Sequence, residues 1–586
     1  MDIKAIITRE YLETLKEDGE LDALIPVFLE SIGFRILSNP KISKGFVQYG
    51  KDIAAVGKDP GDGIVKRFYF EVKGGNDRDI TTKTFNKTDG ILESLREAKF
   101  RPFSSSDPKF EKLPLKIVLV HNGEIHANVK ETFDGFIKQE FPINGDVAFE
   151  VWSISELTQL FSEHLFGAYL LTDRESTKLF NRTLINLNMG DDVQSDFRKL
   201  IERMLFEGEI WEDKFAKKVP RRWMLLFESL KLVSYVIYTE SKNEYNNLEI
   251  AKRYLSYIVL RFWYWVLKNN LERNKTIIKY FSQVLSLYLS SVAELFGRTV
   301  SFTKLRDGIY SEIGGRYEEI GYTIRTFDYI FHFCLLLNVD KRSQKEEFNA
   351  EEMADILNSM IVNNNVSHRP LLDIHSVTIS SIINFFIEAN KPDYAKRYIK
   401  EVFAYIKYRK ESRDVLPDAN NSVKNIIRLA VKSEKSVFYS DSTSPLLNML
   451  FEYVAVLNME ELYYEMREFV EKYDVDLALF VPHHGINSVS LELIEDKEND
   501  LEEQLFSKSV HDGYQSDLKL KIVDYDIATM YKELNFSDFK KKMQNRKKEF
   551  DYEYRTDKAG FPFLRDLAHH YFMTPYFPDK WRSLLL

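Results

Sequence analysis

Beyond about residue 170, apolar residues recur at i, i+3 and i+4 for most of the chain; in its first quarter they do not. Segments such as SDFRKLIERMLF, RRWMLLFESLKLVSYVIY, KTIIKYFSQVLSLYLSSVAELF and YAKRYIKEVFAYIKY carry the helical period, which gathers apolar side chains on one face of a helix. Strand patterning nearly vanishes there, so residues 169–586 are expected to form a large all-α region. Several of these helices are apolar nearly all round, as helices buried between neighbours are. The tetrapeptide AKRY opens helices at 251–254 and 395–398. That hints at helix-pair repeats, but without a constant period a helical-repeat superhelix and an irregular bundle both stay open. The most apolar window, YLSYIVLRFWYWVL (254–267), is interrupted by Arg261. It is too short and too charged to cross a bilayer, so no membrane association is expected.

The first 168 residues mix the two periods. IKAIITREYLETLKE reads as a helix ending at Gly19, and LDALIPVFLESIGF (21–34) as a second, with Pro26 near its first turn, where no donor is lost. FRILS, GKDIAAVG and IVKRFYFEVK read as strands, the last two joined by the turn KDPGDG (58–63). A helix over 88–100, the strand LKIVLVHNG, a helix over 127–141, the strand VAFEVWS (147–153) and a final helix complete the order. This is an α/β sandwich around a mixed sheet. The expected domains are therefore 1–168, α/β, and 169–586, all-helical, with a break between two subdomains placed near 340–370.

Composition removes several function classes. The single cysteine, Cys334, lies in an apolar run and is expected to be buried; neither a disulfide framework nor a four-cysteine zinc site can form within the chain. HExxH, CxxC and GxxxxGK[ST] are absent, so zinc-peptidase and P-loop readings lack support. The N-terminal segment has no apolar core, so no signal peptide is expected and the location expected is cytoplasmic. The net charge of −9 divides into about −5 over residues 1–165 and about −4 over the remainder, so neither part is basic. A nucleic-acid partner would need a local basic stripe, and the candidates are Lys217, Lys218, Arg221 and Arg222 in KKVPRR, and the run FKKKMQNRKKEF (539–550). The adjacent histidines in PHHG (482–485) point apart on any regular element, and His569 and His570 in LAHHYF read as helix-face residues.

The chemistry concentrates in RFYFEVKGG (67–75). Side chains two apart on a strand share a face, so Glu71 and Lys73 stand together at its end. Across the hairpin lies Asp52 in GKDI, and facing side chains on antiparallel neighbours come within about 5 Å. Two carboxylates that close repel unless a cation sits between them. Hard divalent cations with oxygen ligands suit such a pair and can activate water for phosphodiester hydrolysis. The blander alternative is a solvated Glu71–Lys73 pair on an edge strand, with Gly74 and Gly75 merely ending it.

GKDI (50–53) followed after a hairpin by FEVK (70–73), behind a helix and a Gly-aromatic pair, resembles the PD-(D/E)xK nuclease superfamily, most of all its Mrr-like restriction-endonuclease branch, over roughly residues 15–165. The resemblance implies a restriction-endonuclease-like fold in which Asp52, Glu71 and the Val72 carbonyl ligate Mg²⁺ (Mn²⁺ substituting) and Lys73 assists the attacking water. It makes Asp22 a further acidic ligand, though Asp22 also suits a helix N-cap and Glu30 is a rival. It implies an endonuclease cutting DNA, with RNA an alternative substrate, and a homodimer or larger homo-oligomer. A nuclease joined to a large helical module also resembles effectors of bacterial anti-phage defence, the helical region sensing a trigger or protein partner. The competing expectation is a catalytically silent nuclease fold used as a nucleic-acid- or protein-binding scaffold.

Overall fold

The computed structural model of the chain describes residues 8–38, 51–101, 103, 110–168, 174–207, 219–311, 318–342, 349–477, 480–483, 519–522, 535–549, 555–573 and 584, apart from a few single positions within these ranges. The chain divides into two compact units, Met1–Tyr245 and Asn246–Leu586.

The first unit is built on a five-stranded sheet in the order β1 (Arg35–Ser38), β2 (Ile53–Lys58), β3 (Val65–Lys73), β4 (Leu115–His121), β5 (Val147–Trp152). The first three strands run antiparallel, and β3–β4 and β4–β5 are parallel. The DPGDG turn makes the β2–β3 hairpin: Asp59 N–H donates to the Ile64 carbonyl at 2.9 Å, and Gly63, at φ +74°, closes it by donating to the Asp59 carbonyl at 2.8 Å. Every residue of β4 is buried, as expected of a parallel strand covered on both faces. One face of the sheet packs Tyr69, Ile117 and Leu119 against α2 (Thr82–Asn86), α3 (Ile91–Phe100) and α4 (Ala127–Glu140) through Phe85, Leu95 and Phe133. On the other face an aromatic layer runs from Phe34 through Phe68 and Phe70 to Trp152, with neighbouring ring centroids 4.9, 5.8 and 5.4 Å apart. Gly57 is what lets the Phe34 ring lie on β2, because a Cβ there would stand 2.4 Å from that ring.

Two local readings are corrected. The N-terminal segment is not helical up to Gly19: Leu15 and Lys16 lie outside any helix, with Lys16 extended, and one π-helical turn, Glu17–Leu21, then leads into α1 (Asp22–Ser31). Pro26 is the fifth residue of α1 rather than part of its first turn, so a bond to the Asp22 carbonyl is forgone. The short helix α2 was missed. It is set by a Thr81–Thr84 capping box and is too short to show a period.

After α5 (Ile154–Ala168), three more helices, α6 (Arg174–Ile185), α7 (Ser195–Phe206) and α8 (Arg221–Thr239), fall within the first unit. Composition changes near residue 168, but the compact units part at Tyr245 because α8 packs back on the N-terminal segment. Tyr11 Oη donates to Glu228 at 3.3 Å, and the Tyr11 and Tyr235 rings lie 5.7 Å apart.

The second unit is helical where the period said it would be, from α9 (Leu248–Lys268) and α10 (Lys275–Thr303) through α11 (Glu318–Arg342), α12 (Ala350–Asn363), α13 (His375–Glu388), α14 (Pro392–Arg413), α15 (Val423–Lys432), α16 (Pro445–Val456) and α17 (Glu460–Lys472) to α18 (Phe536–Glu549), α19 (Arg555–Lys558) and α20 (Phe563–Phe572). Trp263, Phe281 and Phe561 form an aromatic knot in its core. Cys334 is fully buried. Arg261 is buried with its guanidinium over the Tyr264 ring, a cation–π contact. All-α is not quite right: β6 (Phe480–His483) and β7 (Lys519–Ile522) form an antiparallel pair. His483 lies in that pair and His484 lies outside the described residues. The helix α18 buries Phe539 and Met543 and leaves Lys541 and Lys542 exposed, while the side chains beyond Met543 lie outside the described residues. Among the described residues no helix is long and apolar enough to cross a membrane.

Candidate active site

Strand β3 is central, not an edge. Its partner register sets Ile53 against Phe70, so one residue earlier Asp52 comes opposite Glu71 on the same face. Asp52 is then fixed by its neighbour's backbone, accepting a hydrogen bond from Val72 N–H at 2.8 Å. Glu71 is only 3% exposed. Its Oε1 pairs with Lys73 Nζ at 2.8 Å, while its Oε2 is buried and takes no hydrogen bond among the described residues. The solvated-pair reading therefore fails on burial.

Glu17 joins the cluster and was not foreseen. Its Oε1 lies 3.8 Å from Lys73 Nζ, and its Oε2 accepts from Gly74 N–H at 3.1 Å. Two features bring it there. Asn122, fully buried just past β4, donates through Nδ2 to the carbonyls of Leu12 and Leu15 at 2.6 and 2.8 Å, tying the N-terminal helix to the strand ends. Gly74 leaves room for the approach, since a Cβ there would stand 3.0 Å from Glu17 N and 3.1 Å from its Cα. Gly74 is in extended backbone and Gly75 turns the chain at φ +60°. Asp22 sits in the first turn of α1, its backbone N–H donating to the carbonyls of Glu17 and Glu20. The acidic side chain seen beside Lys73 from this segment is thus Glu17. At Val72 the contact seen is the N–H to Asp52. Lys217 and Lys218 lie outside the described residues. Arg221 and Arg222 open α8, their side chains likewise outside the described set.

Electrostatically the cluster is three carboxylates against one ammonium. Burial, then repulsion from Glu71, pushes the Asp52 carboxyl up to about 8 despite Lys73 and the Val72 N–H. Burial likewise raises Glu17, with Lys73 and Gly74 N–H opposing. Lys73 is raised, because attraction to Glu71, Glu17 and Asp52 outweighs its own burial; it stays an ammonium at neutral pH. The site is short of positive charge, and the buried, unbonded Glu71 oxygen marks where a second cation would be welcomed. All the convergent donors are oxygens, which fits a hard divalent ion.

A separate buried network holds the hairpin in place. Asp59 binds Lys66 at 2.6 Å, Lys116 at 2.9 Å and Gly61 N–H at 3.0 Å. Burial opposes ionisation of Asp59, but these three bonds outweigh it and hold the carboxyl at about 2.

No protein-family model, curated protein or solved structure matches this chain.

Proposed function

We propose that the sheet-bearing unit is a metal-dependent endonuclease of the PD-(D/E)xK, Mrr-like kind, hydrolysing DNA phosphodiester bonds. The observation that carries the reading is the convergence of Asp52, Glu71 and Glu17 around one ammonium, with a buried Glu71 oxygen left unbonded. Asp52, Glu71 and Glu17 would hold Mg²⁺, with Mn²⁺ able to substitute, and the Val72 carbonyl is the expected backbone ligand. Such an ion supplies an activated water and offsets charge on the phosphate oxygens. The chain's own residues do the rest. Val72 N–H keeps the Asp52 carboxylate aimed across the hairpin, and Gly74 N–H does the same for Glu17. Lys73, held protonated by its three acidic neighbours, acts as a donor that orients water and neutralises developing charge rather than as a base. In this reading the helical unit senses a trigger or partner, a homodimer pairs two sites to cut both strands, and anti-phage defence is the biological setting the architecture resembles.

One observation favours a second reading. The direct Lys73–Glu71 pair satisfies half of the carboxylate that an ion would need, as in a silent fold kept as a binding scaffold. Calorimetric titration with Mn²⁺ separates the two: the nuclease reading requires binding that disappears in Asp52→Ala, and the scaffold reading requires none.

A further inference from the structure

In the second unit, Asp328 and His332 lie four residues apart on α11, so they share a face. The last described helix, α20, brings His570 onto them from far down the chain. His570 Nε2 is 2.9 Å from Asp328 Oδ1, and His332 Nδ1 is 3.3 Å from the same oxygen. One ligand atom from each residue lies within 4.8 Å of the other two. Ligands at tetrahedral zinc stand about 3.4 Å apart, given bonds of roughly 2.0–2.2 Å, so little movement would be needed to admit an ion.

We propose that Asp328, His332 and His570 form a binding site for a divalent transition ion of the zinc class, clipping α20 to α11 and keeping one coordination position open to solvent. The supports around the three are those a metal site uses. Asp328 Oδ2 is held by the Lys252 ammonium at 2.5 Å, leaving Oδ1 to the histidines; Lys252 is itself shared with Glu249 at 2.5 Å. His332 Nδ1 lies 2.9 Å from the Asp328 main-chain carbonyl. The His570 ring stacks on Phe331 at 4.0 Å and meets the His332 ring edge-on. A second observation points to a missing ligand: His332 is 4% exposed, and with Nδ1 engaged by Asp328 its buried Nε2, which has no hydrogen bond among the described residues, is the nitrogen left to take an ion, Nδ1 then orienting the ring. A buried nitrogen without a partner is destabilising, and a bound ion relieves that cost. Two imidazoles and one carboxylate select zinc and its neighbours over Mg²⁺ or Ca²⁺, unlike the all-oxygen cluster of the first unit. The Asp328 side chain is 34% exposed, which provides a way in and the open position. The inference does not depend on the nuclease reading.

The test uses the full chain with Asp52→Asn, so that the first unit's cluster contributes no binding. Zinc content after dialysis would be measured, with Co²⁺ titrated by its visible absorption. The expected result is about one equivalent of Zn²⁺ per chain, and a Co²⁺ band typical of four-coordinate nitrogen and oxygen ligands. Both should weaken by more than ~100-fold in His570→Ala and His332→Ala, since even supporting residues are worth 10–100-fold. If His570→Ala does not fold, His570→Gln, which keeps a donor for Asp328, gives the reading. Absence of zinc from the parent, or zinc binding unchanged by loss of His570, overturns the proposal and leaves a hydrogen-bonded structural cluster.

Discussion

Replacing Asp52 by Asn should make the first unit more stable at neutral pH while abolishing its response to Mg²⁺. The amide is isosteric and its oxygen can still accept from Val72 N–H, so what changes is the charge. In the folded chain the carboxyl rises from 3.8 to about 8, so between those values the folded state holds a proton the unfolded chain has released. Stability from this group is greatest below about pH 4 and is lost as pH rises toward 8. Taken whole, the rise would correspond to roughly 4 kcal/mol at pH 7. Asp52 lies among Glu71, Lys73 and Glu17, and effective screening even at buried sites is substantial, so about 1–3 kcal/mol is expected. For a unit of this size that is a melting shift of about 2–12 °C. The assay is calorimetric melting of wild type and Asp52→Asn from pH 4.5 to 8.5, with and without Mg²⁺, with hydrogen exchange of β3 peptides to place the change. Wild type should lose stability across the window and regain it with Mg²⁺, whereas the variant should be flatter and indifferent to the ion. A variant less stable than wild type at pH 7.5, or one as pH-dependent and Mg²⁺-responsive, would falsify the reasoning.

Other consequences are equally open to measurement. Asp59→Asn strips two lysines of their buried partner and should destabilise the first unit by ~3 kcal/mol at pH 7, read by denaturant melts. Its pH signature has the opposite sign to that of Asp52: the depressed carboxyl contributes stability above about pH 4 that is lost as pH falls toward 2. Gly74→Ala drives a Cβ against the Glu17 backbone and should cost about 1–3 kcal/mol, with faster hydrogen exchange across 12–21; unchanged exchange there would count against Gly74 as the spacer. Glu17→Gln should weaken Mn²⁺ binding by ~10-fold or more, and calorimetry showing no change would remove Glu17 from the ion site.

Much of this was legible in the sequence for definite reasons. The period of two in RFYFEVK and the turn residues of KDPGDG specify a hairpin register, and register alone sets Asp52 opposite Glu71. The helices of the second unit were legible because long apolar periods are hard to mistake. Glu17 was not, because its place depends on Asn122 capturing the Leu12 and Leu15 carbonyls, a contact between residues over 100 apart. The acidic stretch KEDGE was the available signal, but reading Gly19 as a helix end hid it. The burial of Glu71 follows from β4 pairing on the far side of β3, which a single strand cannot announce. His570 and Asp328 are separated by 242 residues, and nothing in LAHHYF points to a partner.

The central claim is that Asp52, Glu71 and Lys73 form one phosphodiester-cleaving site. The most direct measurement is cleavage of supercoiled plasmid, linear DNA and RNA by the full chain with Mg²⁺ or Mn²⁺, beside Asp52→Ala, Glu71→Ala and Lys73→Ala, each checked for folding. The account predicts metal-dependent DNA cutting by wild type that falls by at least ~100-fold in each folded variant. Cutting that persists in all three variants, or a Mn²⁺-binding wild type that cuts neither DNA nor RNA, contradicts it.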